Sequence, residues 1–253
     1  MKTLNFDCKF KFAQVSIFTA LILLSMPMIT YADKDKDKAT ATPEVYGKSI
    51  GNWGFEWWMW VLNLPADDNP LFAKGNMDCS VGQRGNVWFL AGSFGEVADR
   101  TCTIKKGKAL FIPILNGFMW SPLDFKTPED CGNKPGMTRA EVIRECRTVV
   151  AANIDKATKI ECMLDGVPCY WSKQIVRAQS AAKSYFIRTG TIVSDSFEYA
   201  PGLRKVAISD GYWIMIDPLR PGQHTLRVVS RYDGNANFNL DVTYHLTVSA
   251  LDY

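Results

Sequence analysis

Histidine is almost missing from this chain: His224 and His245 are the only two among 253 residues. A Ser-His-Asp or Cys-His arrangement would have to be built on one of them. No C-x-x-C pair occurs, so with so few histidines the usual zinc sites are not expected. No G-x-x-x-x-G-K-[ST] loop occurs to cradle a phosphate, and Lys105-Lys106-Gly107-Lys108 reads as a hairpin turn instead. A strong excess of charge is missing too: 29 basic and 26 acidic residues leave +3, which argues against nucleic acid as a partner. Beyond residue 32 no apolar run approaches the ~20 residues that cross a bilayer. The sequence therefore points to no metal and no cofactor.

The first apolar run has its own meaning. Lys2, Lys9 and Lys11 precede 12 apolar-rich residues, Val15 to Met26, and Thr30-Tyr31-Ala32 follow. Basic start, short apolar centre and small-residue exit are the order of a secretory signal peptide over residues 1–32. Its removal takes three lysines and one aspartate and leaves a net charge of +1. Residues 33–43, "DKDKDKATATP", carry nothing that can be buried, so they read as a disordered charged leader. Residues 44–253 read as one domain, exported to the periplasm or the outside.

Cysteine usage fits that address. Cys8 leaves with the signal, and Cys79, Cys102, Cys131, Cys146, Cys162 and Cys169 remain as an even set for three bridges. Asp165-Gly166 suits a two-residue hairpin turn, because both residues tolerate positive φ. Counting outward from it places Cys162 opposite Cys169. Neighbouring order then suggests Cys79–Cys102 and Cys131–Cys146.

The stretch "NWGFEWWMW", residues 52–60, sits in the first expected helix, 46–64. At 100° per residue Ile50, Trp53, Trp57, Trp60, Val61 and Leu64 face one way, flanked by Phe55, Trp58 and Leu62. Lys48, Asn52, Glu56, Met59 and Asn63 form the opposite stripe. An apolar arc this wide is enclosed by protein. Each buried tryptophan removes ~150–250 Å² from water, roughly 4–6 kcal/mol of gross transfer free energy. Trp58, at the edge of the arc, is the one expected nearest solvent. A second helix over 138–157 opens with capping-box spacing between Thr138 and Glu141.

Strand patterns fill the rest: 85–92, 108–115 with Pro113 marking an edge or bulge, 184–194 and 205–216. The last two are the clearest. Leu240, Val242, Tyr244, Leu246 and Val248 alternate with polar residues, the period of a strand with one wet face. Leu226 and Val228 do the same against Thr225 and Arg227. Many short strands and two helices define a mainly β, disulfide-stapled antiparallel β-sandwich, jelly-roll or immunoglobulin-like, with helical additions.

Residues 210–228, "DGYWIMIDPLRPGQHTLRV", resemble a recurring turn of immunoglobulin-like sandwiches, with Leu219-x-Pro221-Gly222 as the corner and His224 as its polar anchor. Taken with "WGFEWWMWVLNLPADDNP", "CSVGQRGNVWFLAGSFG" and "CTIKKGKALFIPILN", the chain resembles a group of secreted bacterial proteins of uncharacterised activity. That resemblance implies a shared fold and export, and no activity.

Besides a purely structural or assembly role, two functions compete on these residues. One is a non-catalytic exported sandwich that binds a glycan or an envelope protein, with Trp58, Trp88, Trp120 and Tyr212 as candidate stacking aromatics. The other is a carbohydrate-active enzyme with two loop carboxylates flanking the bond, Asp68 and Asp78 being the candidates; such pairs stand ~5–9.5 Å apart. Alternate oxygens at Asp233, Asn235, Asn237, Asn239 and Asp241 would suit calcium, but they lack the loop glycine and closing glutamate and read as a polar hairpin tip.

Overall fold

The computed structural model describes residues 44–73, 78–93, 97–121, 136–169, 175–233 and 238–250. The expected signal peptide and leader, Cys131 and residues 234–237 of the polar tip lie outside them. In chain order the elements are β1 (Glu44–Val45), β2 (Lys48–Ser49), α1 (Ile50–Leu62), β3 (Val87–Phe89), β4 (Val97–Ile104), β5 (Ala109–Trp120), α2 (Arg139–Ile154), β6 (Ala157–Leu164), β7 (Val167–Pro168), β8 (Ile175–Gln179), β9 (Lys183–Ile187), α3 (Ile192–Asp195), β10 (Gly202–Ile216), β11 (Gly222–Tyr232) and β12 (Phe238–Val248).

Two five-stranded sheets face each other. The first has the order β3-β5-β10-β8, with β9 also paired to β10; the second has the order β4-β12-β11-β6-β7. Their shared core holds Leu110, Ile112, Ile114, Ile214 and Ile216 from one side and Leu226, Val228, Val242, Tyr244 and Leu246 from the other. The sandwich is mainly but not wholly antiparallel: β3 runs parallel to β5, and β4 parallel to β12. The second pairing joins Val97 to Asp241, from opposite halves of the chain, so no local pattern announces it.

The first sheet is covered on its other face by α1, where Phe111, Trp213 and Met215 meet Phe55, Trp57 and Val61. Helix α2 covers the far end of the inner face, packing Val142, Cys146 and Val150 on Val206 and Ile208. Strand β5 serves both layers through a bulge: Tyr212 of β10 faces Leu115, while Trp213 faces Pro113. The extra residue falls beside the proline, which has no N–H to give, and reverses which residues face α1 from there on.

Helix α1 starts later than the sequence suggests. Tyr46 and Gly47 adopt positive φ between β1 and β2, and Ser49 caps the helix by accepting from the Asn52 N–H. Two glycines let α1 lie directly on the sheet. A Cβ on Gly51 would collide with the Gln179 carbonyl, and one on Gly54 would come within 2.5 Å of the Trp213 indole. Alanine ordinarily gains about 1 kcal/mol over glycine in a helix. Here overpacking against backbone, worth about 1–3 kcal/mol or more, outweighs it, and Gly51→Ala is expected to lower the urea midpoint rather than raise it.

Helix α2 has the expected capping box, with Thr138 and Glu141 bonding reciprocally. A third, four-residue helix, α3, occupies part of the stretch read as strand at 184–194. The Lys105–Lys108 turn is also not a hairpin: β4 and β5 belong to different sheets, so this turn carries the chain across the sandwich, with Gly107 at φ 76°.

The Asp165-Gly166 turn has both residues at positive φ, Met163 faces Pro168, and Cys162–Cys169 closes the pair. Cys79–Cys102 is formed as well. Cys146 is disulfide-bonded, and its expected partner lies outside the described residues.

His224 anchors the corner before β11: Nδ1 lies 2.7 Å from Asp165 Oδ2 and Nε2 2.9 Å from the Arg220 carbonyl. The hydrogen bond to Asp165 raises the imidazole pKa, while the His224 and Thr225 bonds outweigh desolvation and lower that of Asp165. A raised histidine stabilises below its unfolded pKa of ~6.5 and loses this as pH rises through the folded value. A lowered aspartate stabilises above ~3.9 and loses this as pH falls through its folded value. His224→Ala should therefore cost more stability at pH 5 than at pH 8, measured by thermal melts at the two values.

Candidate functional site

Strands β3 and β4 lie at the open side of the sandwich, one at the edge of each sheet. The loop 78–86 plugs the gap between them. Asp78 starts it: Oδ1 accepts the Ser80 N–H at 2.8 Å, an Asx turn. The disulfide Cys79–Cys102 ties the loop to β4. Gln83 ties it to β3, its amide donating to the Phe89 carbonyl at 2.7 Å and accepting the Phe89 N–H at 2.9 Å. One side chain thus satisfies the strand edge as a neighbouring strand would. Trp60 of α1 donates to the Val81 carbonyl at 3.0 Å.

The plug leaves a cavity of about 450 Å³ along β4, within the ~300–1,000 Å³ of ordinary ligand sites. A second void, near Arg100 and Tyr244, is about 10 Å³, room for one water. The larger cavity is lined by Asp78, Ser80, Thr101, Thr103, Lys105 and Ser249, with Trp88 and the Cys79–Cys102 disulfide as its apolar part. Bonds from the Ser80 hydroxyl and N–H hold the Asp78 carboxyl below its ordinary pKa, so it is an anion at neutral pH. Trp88 is only 4 % exposed, and its indole N–H has no acceptor among the described residues. Ser249 is held by its N–H to the Ile104 carbonyl and accepts from the Lys106 N–H at 3.3 Å.

Of the residues proposed from sequence, the structure brings Asp78 and Trp88 together here. Asp68 is exposed in the loop after α1 and does not line the cavity. The other aromatics do not form an exposed row. Trp58 is half-buried, stacked on Phe118 at 5.5 Å. Trp120 sits between Tyr185 and Tyr199, at 5.9 and 5.2 Å. The Tyr212 ring is covered by the Arg177 guanidinium at 5.3 Å. Sequence reasoning missed Thr101, Thr103, Lys105 and Ser249; the signal available was the Thr-x-Thr pair flanking Cys102.

A second polar centre has a structural explanation. Arg177 grips buried Asp210 with Nε at 2.7 Å and Nη2 at 2.9 Å, and Gln179 adds a bond at 3.2 Å. Arg177 Nη1 lies 3.2 Å from Asp155, and Gln179 donates to the Arg147 carbonyl at 3.1 Å. The network fastens α2 to the sheet. Among the described residues no group of three or more His, Cys, Asp or Glu side chains is placed to hold a metal ion. No helix of the described residues is long and apolar enough to cross a membrane.

No protein-family profile matches the chain, and no curated protein is significantly similar to it. A chain from the solved structure entitled "Structure of PbICP-C in complex with falcipain-2" overlays with a TM-score of 0.21 at 12 % identity, over 65 % of this chain and 100 % of that one. An overlay this weak carries no argument.

Proposed function

We propose that this is an exported, non-catalytic binding protein whose site is the cavity between the 78–86 plug and β4, and that its ligand is a neutral, hydroxyl-rich glycan. Export is supported by the basic–apolar–small order of residues 1–32 and by cysteines joined in disulfides. The observation that carries the ligand class is the balance of the lining residues: one aspartate, one lysine and the hydroxyl-bearing Ser80, Thr101, Thr103 and Ser249. A ligand of either net charge meets a like charge there. A sugar offers both donors and acceptors to those polar residues.

The same lining argues against glycan cleavage. Asp78 is its one carboxylate among the described residues, and cleavage needs an acid and a second carboxylate across the bond. Calorimetric titration of the purified protein with neutral oligosaccharides tests the reading. Saturable binding is expected, weakened roughly ten- to hundredfold by Asp78→Asn, the loss of a charge-assisted hydrogen bond worth ~1.5–3 kcal/mol, with little change in melting temperature. Turnover of any polysaccharide, or binding untouched by Asp78→Asn and Thr103→Val, overturns it. Capture of an envelope protein at this cavity with no glycan binding reassigns the ligand.

A further inference from the structure

A different surface carries a second inference. Strand β9 pairs with β10 on one side only, so among the described residues its outer edge is unpaired. Phe186 of β9 and Leu203 of β10 are direct cross-strand partners, which places both side chains on one face. They are 54 % and 46 % exposed. Their neighbours Tyr185 and Arg204 point the other way and are buried. Two residues past Phe186, just beyond the end of β9, comes Arg188, and two past Leu203 on β10 comes Lys205, both exposed. Because the strands are antiparallel, these cations flank the apolar pair on opposite sides. Neither is in an ion pair among the described residues, whereas Lys183 is committed to Glu56 at 3.4 Å. Small Ser184 stands between Lys205 and the open edge and leaves the lysine a path across it.

We infer that the outer edge of β9 accepts an extended acidic segment of a partner protein as an added strand. Strand addition reads a peptide through main-chain hydrogen bonds and alternate side chains. An apolar side chain beside Phe186, with acidic residues two positions before and after it, meets Arg188 on one side and Lys205 on the other. The recognised pattern is acid-x-apolar-x-acid. A second copy of this chain is the poorer occupant. Pairing Phe186 with its symmetry mate sets Arg188 of each copy over Ser184 and Lys205 of the other, cation against cation.

The probe is a fluorescent peptide with a Glu-Thr-Leu-Thr-Glu core, titrated by anisotropy against the purified full chain. Saturable binding that weakens with added salt is expected. Phe186→Ser and N-methylation of alternate peptide amides should each weaken it at least about tenfold. Lys205→Glu should lose the Glu peptide and gain its Lys-for-Glu counterpart. Circular dichroism confirms that both variants fold. No binding, or binding indifferent to N-methylation and to the charge exchange, overturns the proposal. So does self-association in sedimentation velocity that Phe186→Ser abolishes, since the edge is then an interface between copies.

Discussion

Trp57→Ala is expected to destabilise the protein by about 3–5 kcal/mol, the range of large-to-small truncations in a packed core. Trp57 is 2 % exposed. Its ring meets Trp58 at 5.1 Å, Trp60 at 6.2 Å and Trp213 at 6.5 Å, so a cavity bounded by other rigid rings cannot collapse. The indole N–H also donates to the Leu90 carbonyl at 2.9 Å, an acceptor left buried in the variant. Urea denaturation should show a lower midpoint with an unchanged slope. A loss under about 1 kcal/mol would mean that α1 is not core.

The second large effect belongs to Asp210. Removing one partner of a buried ion pair costs ~3–5 kcal/mol, because the other charge stays where water cannot solvate it. Asp210 is almost wholly buried, while Arg177 keeps about a quarter of its side chain in solvent and a second carboxylate, Asp155, within reach. That moderates the penalty, and Asp210→Ala is expected to cost about 3 kcal/mol. The Arg227–Asp241 pair is a useful contrast. Its two bonds, 2.8 and 2.6 Å, are as short as those of Arg177, but the guanidinium is half exposed. Solvent screening then leaves under about 1 kcal/mol for Arg227→Ala. Parallel urea melts of the two variants separate burial from bond geometry as the source of the effect.

Where the sequence proved legible, the governing physics was local. The β12 alternation, the capping box of α2, the Asp165-Gly166 turn and the bridge it closes all rest on residues within a few positions of one another. The enclosure of α1 was readable from the width of its apolar arc. The rest depends on contacts across the fold. Gly51 and Gly54 look like weak helix formers until Gln179 and Trp213 arrive beside them. Lys105–Lys108 has turn chemistry, but which sheets it joins depends on a parallel pairing with a strand some 140 positions later. The cavity shows the same divide. Asp78 and Trp88 were visible as types of residue, whereas Ser249 joins them only because β12 runs beside β4. Tyr212 and Trp120 were stacking candidates by composition; in the fold Arg177 lies over the first, and Tyr185 and Tyr199 pack against the second.

The proposed placement of the binding site in the cavity between the 78–86 plug and β4 rests on the tryptophans being structural. Iodide quenching of native fluorescence in a Trp171→Phe background, where the seven remaining indoles are all buried or half-buried, measures this directly. Blue-shifted emission with slow quenching that becomes fast only on unfolding is the expected result. Emission at the wavelength of free indole, quenched readily before unfolding, would contradict it and return α1 to the surface.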